Sequence, residues 1–249
     1  MDKENIKTFP HGDMPGDKIE IGHSHIQKAE AIYRVLKPMI GADKFVICVC
    51  GGSGVGKSEI ASVLAGMLIH DGIGTYIMSG DNYPHRIPMD NDAKREQVFQ
   101  EGGKGDLTDY LGSPREIDFE LVNQIIAQFK EGVKAISMKR MGRTRDALWF
   151  EDVDMSDVQV LILEWTHGNS DHITGVDIPI LLNSTPEETL EHRRKRNRDG
   201  GVDSPFTTMV LELEQQQLIR QAHKAKIIVA KSGALMTYDE FCSVMRVPL

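Results

Sequence analysis

The octapeptide Gly51-Gly52-Ser53-Gly54-Val55-Gly56-Lys57-Ser58 ends in a lysine and a hydroxyl, and its spacing fits G-x-x-x-x-G-K-[ST]. The residue types have a chemical reason. Glycines let a loop wrap so that backbone N–H groups of residues 52 to 58 face phosphate oxygens. Lys57 reaches the β- and γ-phosphates, and the Ser58 hydroxyl ligates Mg²⁺. Both flanks agree with this. Phe45-Val46-Ile47-Cys48-Val49-Cys50 reads as a buried parallel strand. Ile60, Val63, Leu64, Met67 and Leu68 recur at helical spacing until Gly72 supplies a stop. The loop therefore opens a helix, where unpartnered N–H groups and the macrodipole favour anions. The expected phosphate contacts are Gly52, Ser53, Gly54, Val55, Gly56, Lys57 and Ser58.

Two acids lie where such a loop would need them. A second strand, 74 to 79, ends at Gly80-Asp81-Asn82-Tyr83-Pro84. A carboxylate just past the carboxyl end of a parallel strand stands on the rim where ligands bind. Asp81 is thus the candidate general base for an acceptor hydroxyl. Glu164 follows the apolar strand 158 to 163, the position of an acid that holds Mg²⁺ directly or through water. Ser58, Asp81 and Glu164 form the expected metal set.

Cations cluster in two further runs. Arg193, Arg194, Lys195, Arg196 and Arg198 precede Gly200-Gly201, which suits a mobile lid at about 193 to 204. Such a lid brings positive charge to the migrating phosphoryl group and excludes water. Arg194 and Arg198 are the candidates there, acting with Lys57 and Asp81. The run Lys139-Arg140-Met141-Gly142-Arg143-Thr144-Arg145 is assigned to an acceptor site.

The elements that carry these residues alternate. A helix from Ser24 stops near Pro38, and a polar connection over 85 to 112 holds one short helix near 91 to 101. Ser113-Pro114-Arg115-Glu116 has capping-box form and opens a helix through Phe129. Strands follow at 134 to 138, 178 to 182 and 227 to 229, with a long helix over 205 to 223. Alternation of this kind implies parallel βαβ units and a three-layer α/β sandwich with helices on both faces. Residues 1 to 22 read as a flexible N-terminal arm, and 23 to 249 as a single domain.

Composition narrows the classes. The chain has 249 residues, 40% of them hydrophobic and 27% charged, as in ordinary globular proteins. A net charge of -8 argues against broad nucleic-acid binding. No apolar run spans a membrane and the polar N-terminus is no secretory signal, so the expected compartment is the cytoplasm. Three cysteines give no disulfide framework, and Cys48 and Cys50 read as small buried hydrophobes.

In this order, the loop 51 to 58, the corner Asp81-Asn82-Tyr83, the helix from Asp118-Phe119, Glu164 and the segment 193 to 198 resemble the uridine kinase and phosphoribulokinase group of P-loop kinases. The resemblance covers roughly residues 44 to 230. It implies a parallel five-stranded core, ATP with Mg²⁺ as donor, and phosphorylation of a small-molecule hydroxyl. On that pattern Asp81 matches the catalytic base and Glu164 the acid near the metal. The helix before the first strand is similar to one in bacterial pantothenate kinases. His167, in Glu164-Trp165-Thr166-His167-Gly168, is similar in place to a histidine of phosphoribulokinases.

The chain departs from uridine kinases after the aspartate, where Tyr83 and Arg86 are followed later by Lys139, Arg140, Arg143 and Arg145. So many cations would pair with an anionic acceptor, a sugar phosphate or a hydroxy acid. The expected acceptor contacts are Tyr83, Arg86, Lys139, Arg140, Arg143 and His167. A uridine/cytidine-type or pantothenate kinase-like enzyme is the alternative, and an ATP-dependent regulatory switch the alternative of another class. A GTPase switch is disfavoured because no N-K-x-D motif occurs. A homodimer stays open.

Overall fold

In the computed structural model, which describes residues 9–144, 146–196 and 204–246, strand β1 (Phe45–Gly51) is buried from Val46 onward. A strand apolar on both faces must be covered on both, so it takes the middle of a sheet. The sheet order is β2 (Thr75–Ser79), β5 (Val160–Glu164), β1, β6 (Ile178–Leu182), β7 (Ile227–Val229), β8 (Leu235–Met236). The first five run parallel, as expected, and β8 adds a short antiparallel edge.

On one face, α1 (His23–Leu36) and α2 (Lys57–His70) bury Ile32, Leu36, Ile60 and Leu64 against Ile47, Val49, Ile162 and Ile180. On the other, α4 (Phe119–Lys130) sets Val122, Ile126 and Phe129 on Val46 and Leu161. Beside it α6 (Pro205–Gln221) and α7 (Tyr238–Met245) cover Cys48, Cys50 and Ile228. Cys48, Cys50 and Cys242 are free and buried. No helix among the described residues is long and apolar enough to cross a membrane.

Three elements differ from the sequence expectation. The strand placed at 134 to 138 is longer, β3 (Ala135–Met141), and pairs antiparallel with β4 (Leu148–Asp154) in a separate hairpin. The polar connection contains a helix, α3 (Pro88–Tyr110), whose path breaks at Gly103, φ 71°. Only Asn91, Leu107 and Tyr110 of α3 are buried, so no apolar stripe announces it. Third, α4 is capped by Asp118, which accepts from Leu121 N–H at 3.0 Å, and not by Ser113. Ser113 instead closes a turn in which its carbonyl accepts from Glu116 N–H at 3.0 Å.

The segment 9–22, expected as a loose arm, is anchored. Asp13 accepts two hydrogen bonds on each carboxylate oxygen, which fills its capacity. Oδ1 takes Ser79 N–H at 2.7 Å and Asn82 Nδ2 at 3.0 Å. Oδ2 takes Tyr76 O–H at 3.1 Å and Arg140 Nη1 at 2.8 Å. Arg140 and Asp13 are each only 6% exposed in their side chains. Asn82 Oδ1 in turn accepts from Met141 N–H at 3.0 Å, and Lys139 Nζ donates to the Pro84 carbonyl at 2.8 Å. The arm and the hairpin thus clamp the turn that carries Asp81.

Removing one member of a buried pair leaves the other charge uncompensated, at a cost of about 3 kcal/mol. Among the described residues, Arg140 would keep Glu151, whose side chain is 58% exposed, as its ion-pair partner. Asp13→Ala is therefore expected to lower the urea midpoint at unchanged m value. Asp13→Ala with Arg140→Met should recover much of the loss, and equilibrium unfolding of the two variants checks this.

Candidate active site

The carboxyl ends of β1, β2 and β5 open on one cavity of about 750 Å³. At the end of β1 the chain turns through Gly54, φ 77°, and Gly56, φ 94°, so that α2 starts at Lys57. Both angles lie in the left-handed region, where a side chain is strained. Lys57 Nζ donates to the Gly52 carbonyl at 3.2 Å. Ser53, Gly54, Lys57 and Ser58 line the cavity.

Asp81 lies two residues past the end of β2, exposed and lining the same cavity. Gly80 before it admits no side chain, because a Cβ there would fall 1.9 Å from Trp165 Cγ. Trp165 is buried and follows β5 directly, so the two strand ends are locked together.

Glu164, the last residue of β5, is buried. Its Oε1 accepts from Ser79 Oγ at 2.7 Å, and its Oε2 from Ser58 Oγ at 3.2 Å. Burial pushes its carboxyl up to about 7, and the nearby Asp81 charge adds to this, while Lys57 and the two hydroxyls pull the other way.

The far wall is polar and was not foreseen. Glu116 is 1% exposed. Its Oε1 accepts from Arg95 Nε at 2.6 Å and Asn91 Nδ2 at 2.9 Å, and its Oε2 from Gly112 N–H at 2.7 Å. Burial opposes its charge, yet Arg95 and these donors outweigh it and hold the carboxyl below the usual value. Arg95 Nη2 also donates to Glu214 Oε1 of α6 at 3.4 Å. Burial raises the Glu214 carboxyl, with Arg95 acting against it. His167 lines the cavity, and burial pushes its imidazole down to about 4 against the pull of Glu116, so it is neutral at pH 7.

Of the acceptor contacts expected from sequence, only His167 lines this cavity. Tyr83 is buried among core side chains, its O–H donating to Met138 Sδ at 3.7 Å. Arg86 donates to the Tyr110 hydroxyl at 3.1 Å. Lys139 and Arg140 serve the turn and the arm, and Arg143 is exposed outside the cavity lining. Arg145 and Arg198 lie outside the described residues. Arg194, on the exposed side of α5 (Leu190–Arg196), does not line the cavity, whereas Arg193 does. Arg193 Nη1 donates to the Pro186 carbonyl at 2.7 Å.

Asn91 and Arg95 have no role in the sequence reading, and Glu116 has only that of a helix cap. The one signal was the spacing of Asn91 and Arg95, four apart and hence on one helix face.

A phosphate loop after the central strand, with acids after its neighbour and the next strand, is the arrangement of P-loop kinases, and the chain has the fold of their uridine kinase and phosphoribulokinase group. A possible uridine kinase from Bacillus stearothermophilus superposes with a TM-score of 0.56 at 16% identity, over 81% of this chain and 96% of that one. The phosphoribulokinase from Rhodobacter spheroides gives 0.58 at 14% identity, over 76% and 71%. In sequence, the chain is 46% identical over 193 residues to the bifunctional alpha-galactosidase/sucrose kinase of Mediterraneibacter gnavus, which covers 78% of this chain. The chain spans 21% of that relative's length. No family model matches.

The state of Glu164 has a stability consequence. Its folded value of about 7 lies above the ordinary 4.5. Between the two the folded state holds more protons than the unfolded, so this residue's contribution to stability falls as pH rises through that window. Glu164→Gln is expected to raise the melting temperature at pH 8 by a few degrees and to lose that advantage below pH 4.5, as a pH series of thermal melts would show.

Proposed function

We propose that this chain is an ATP-dependent kinase that transfers a phosphoryl group to a hydroxyl of a neutral, polyhydroxylated acceptor of the carbohydrate class. One observation carries the reading: the loop and the two strand-end acids share a cavity whose opposite wall is rich in carboxylates. Among the described residues, Asp81, Asp92, Glu96, Glu116, Glu164 and Glu214 line it against Lys57, Arg95 and Arg193. Arg95 already pairs with three of the acids, Asp92, Glu116 and Glu214. An anionic acceptor would meet net repulsion there, whereas hydroxyl groups donate hydrogen bonds to carboxylates. The acceptor charge expected from the basic run 139 to 145 changes accordingly, because Lys139 and Arg140 face the turn and the arm. The sucrose kinase name of the relative supports the same acceptor class.

The donor side fits a nucleoside triphosphate with a hard divalent cation. Glycines at positive φ start a helix at a lysine, and the donor set of Ser58, Asp81 and Glu164 is made of oxygen only. Those three residues would hold Mg²⁺, which supplies charge neutralisation on the phosphates. Lys57 and the loop N–H groups orient the triphosphate.

The acceptor oxygen attacks the terminal phosphorus as the bond to the bridging oxygen breaks and ADP leaves. Asp81 takes the proton released by the hydroxyl. Arg193 is the described arginine of the lid segment in a position to face the transferring charge. The chain is read as cytoplasmic, where ATP is supplied.

Asp81→Asn is expected to reduce kcat for acceptor phosphorylation by roughly 100- to 10,000-fold with ATP binding retained. Acceptor-dependent ADP release and nucleotide titration of the same variant measure the two. Wild-type turnover should rise with neutral mono- or disaccharides. A rise confined to sugar phosphates, hydroxy acids or nucleosides would refute the acceptor class.

A further inference from the structure

The far wall of the cavity contains an unanswered hydrogen-bond acceptor. Asn91, in the first turn of α3, is 6% exposed and lines the cavity. Its Nδ2 donates to Glu116 Oε1 at 2.9 Å, which fixes the amide orientation, because the carboxylate can only accept. The carbonyl end is thereby directed away from Glu116, and Asn91 Oδ1, buried, has no hydrogen-bond partner among the described residues. A buried acceptor left this way is unfavourable by about 1 to 3 kcal/mol unless a donor arrives. Glu116 is held ionised and can only accept, and no hydrogen bond joins Glu214 or His167 to Asn91 Oδ1. A group that enters the cavity could supply that donor.

Around Asn91 the wall alternates in hydrogen-bond sense. Asn91 Oδ1 and the Glu116 and Glu214 carboxylates accept, while Arg95 presents a fork of donors between the two acids. Vicinal hydroxyls, each a donor and an acceptor at once, match such a wall. A phosphate or carboxylate offers no proton for Asn91 Oδ1.

We propose that Asn91, with Arg95, Glu116 and Glu214, is the acceptor-recognition site, and that Asn91 Oδ1 takes a hydrogen bond from a hydroxyl of the carbohydrate that is not the one phosphorylated. The inference rests on the kinase reading above and assigns specificity to residues that no feature of the phosphate loop implies. The Arg95 pairs tie α3 to the turn at 112–116 and to α6, so the wall is rigid before the acceptor arrives.

The test uses the full chain with a panel of neutral mono- and disaccharides that includes sucrose, followed by single-deoxy analogues of whichever compound drives ADP release. Asn91→Leu keeps the size and removes the amide. The expected result is a rise in KM for the acceptor of roughly 10- to 100-fold, with KM for ATP within about twofold of wild type. In the wild type, one deoxy position away from the phosphorylated hydroxyl should cause a similar rise, and Asn91→Leu should no longer distinguish that analogue from its parent. The deoxy series needs only the wild type, so the proposal stays exposed even if the variant fails to fold. A neutral saccharide that drives turnover while neither the variant nor any deoxy analogue shifts KM beyond twofold overturns the Asn91 assignment and leaves the kinase reading standing. Turnover driven only by anionic compounds overturns the Asn91 assignment together with the neutral-carbohydrate acceptor class.

Discussion

The parallel pairing of β5 between β1 and β2 is the constraint on which the site depends. In that register Glu164 stands beside Val49 on one side and Ser79 on the other. The Ser79 hydroxyl and the Ser58 hydroxyl at the start of α2 then converge on one carboxylate. A slip of one residue would turn Glu164 to the opposite face of the sheet and bring an aliphatic side chain to the loop. The phosphate loop, the strand-end acids and the buried Trp165 that locks the turn at Gly80 all follow from this alignment.

Charge is handled differently at each acid around the cavity. Glu116 is kept ionised by Arg95 and two further donors, whereas burial drives Glu164 and Glu214 toward their protonated forms. Buried charges of this kind stabilise a fold less than apolar packing would. Their presence along one wall, when the same sheet is apolar elsewhere, marks where the molecule gives up stability for recognition.

The parts legible in the sequence were those encoded locally. The phosphate loop, the strands beside it and the acids at two strand ends depend on short patterns, and the parallel sheet follows from their alternation. What was not legible rests on distant partners or on polar surfaces. Arg140 looked like a substrate contact because nothing nearby announced Asp13, 127 residues away. Glu116 has the spacing of a capping residue from Ser113, yet it turns inward to Arg95. Helix α3 shows no apolar stripe because its inner side faces a cavity and carries Asn91 and Arg95 in place of leucines. The strand β4 exposes Leu148, Trp149 and Phe150 in succession, so it lacks the alternation that reveals a half-buried strand.

Asp13 bears on where the folded unit begins along the sequence. By sheet and helices alone, the natural boundary would fall just before α1, since every layer of the sandwich lies downstream of it. The four hydrogen bonds of Asp13 place that boundary earlier. A version cut at α1 would retain every strand and still release Asn82 and Arg140 from their shared anchor, next to Asp81. The folded unit thus includes a stretch of irregular chain that secondary structure alone would assign to a linker.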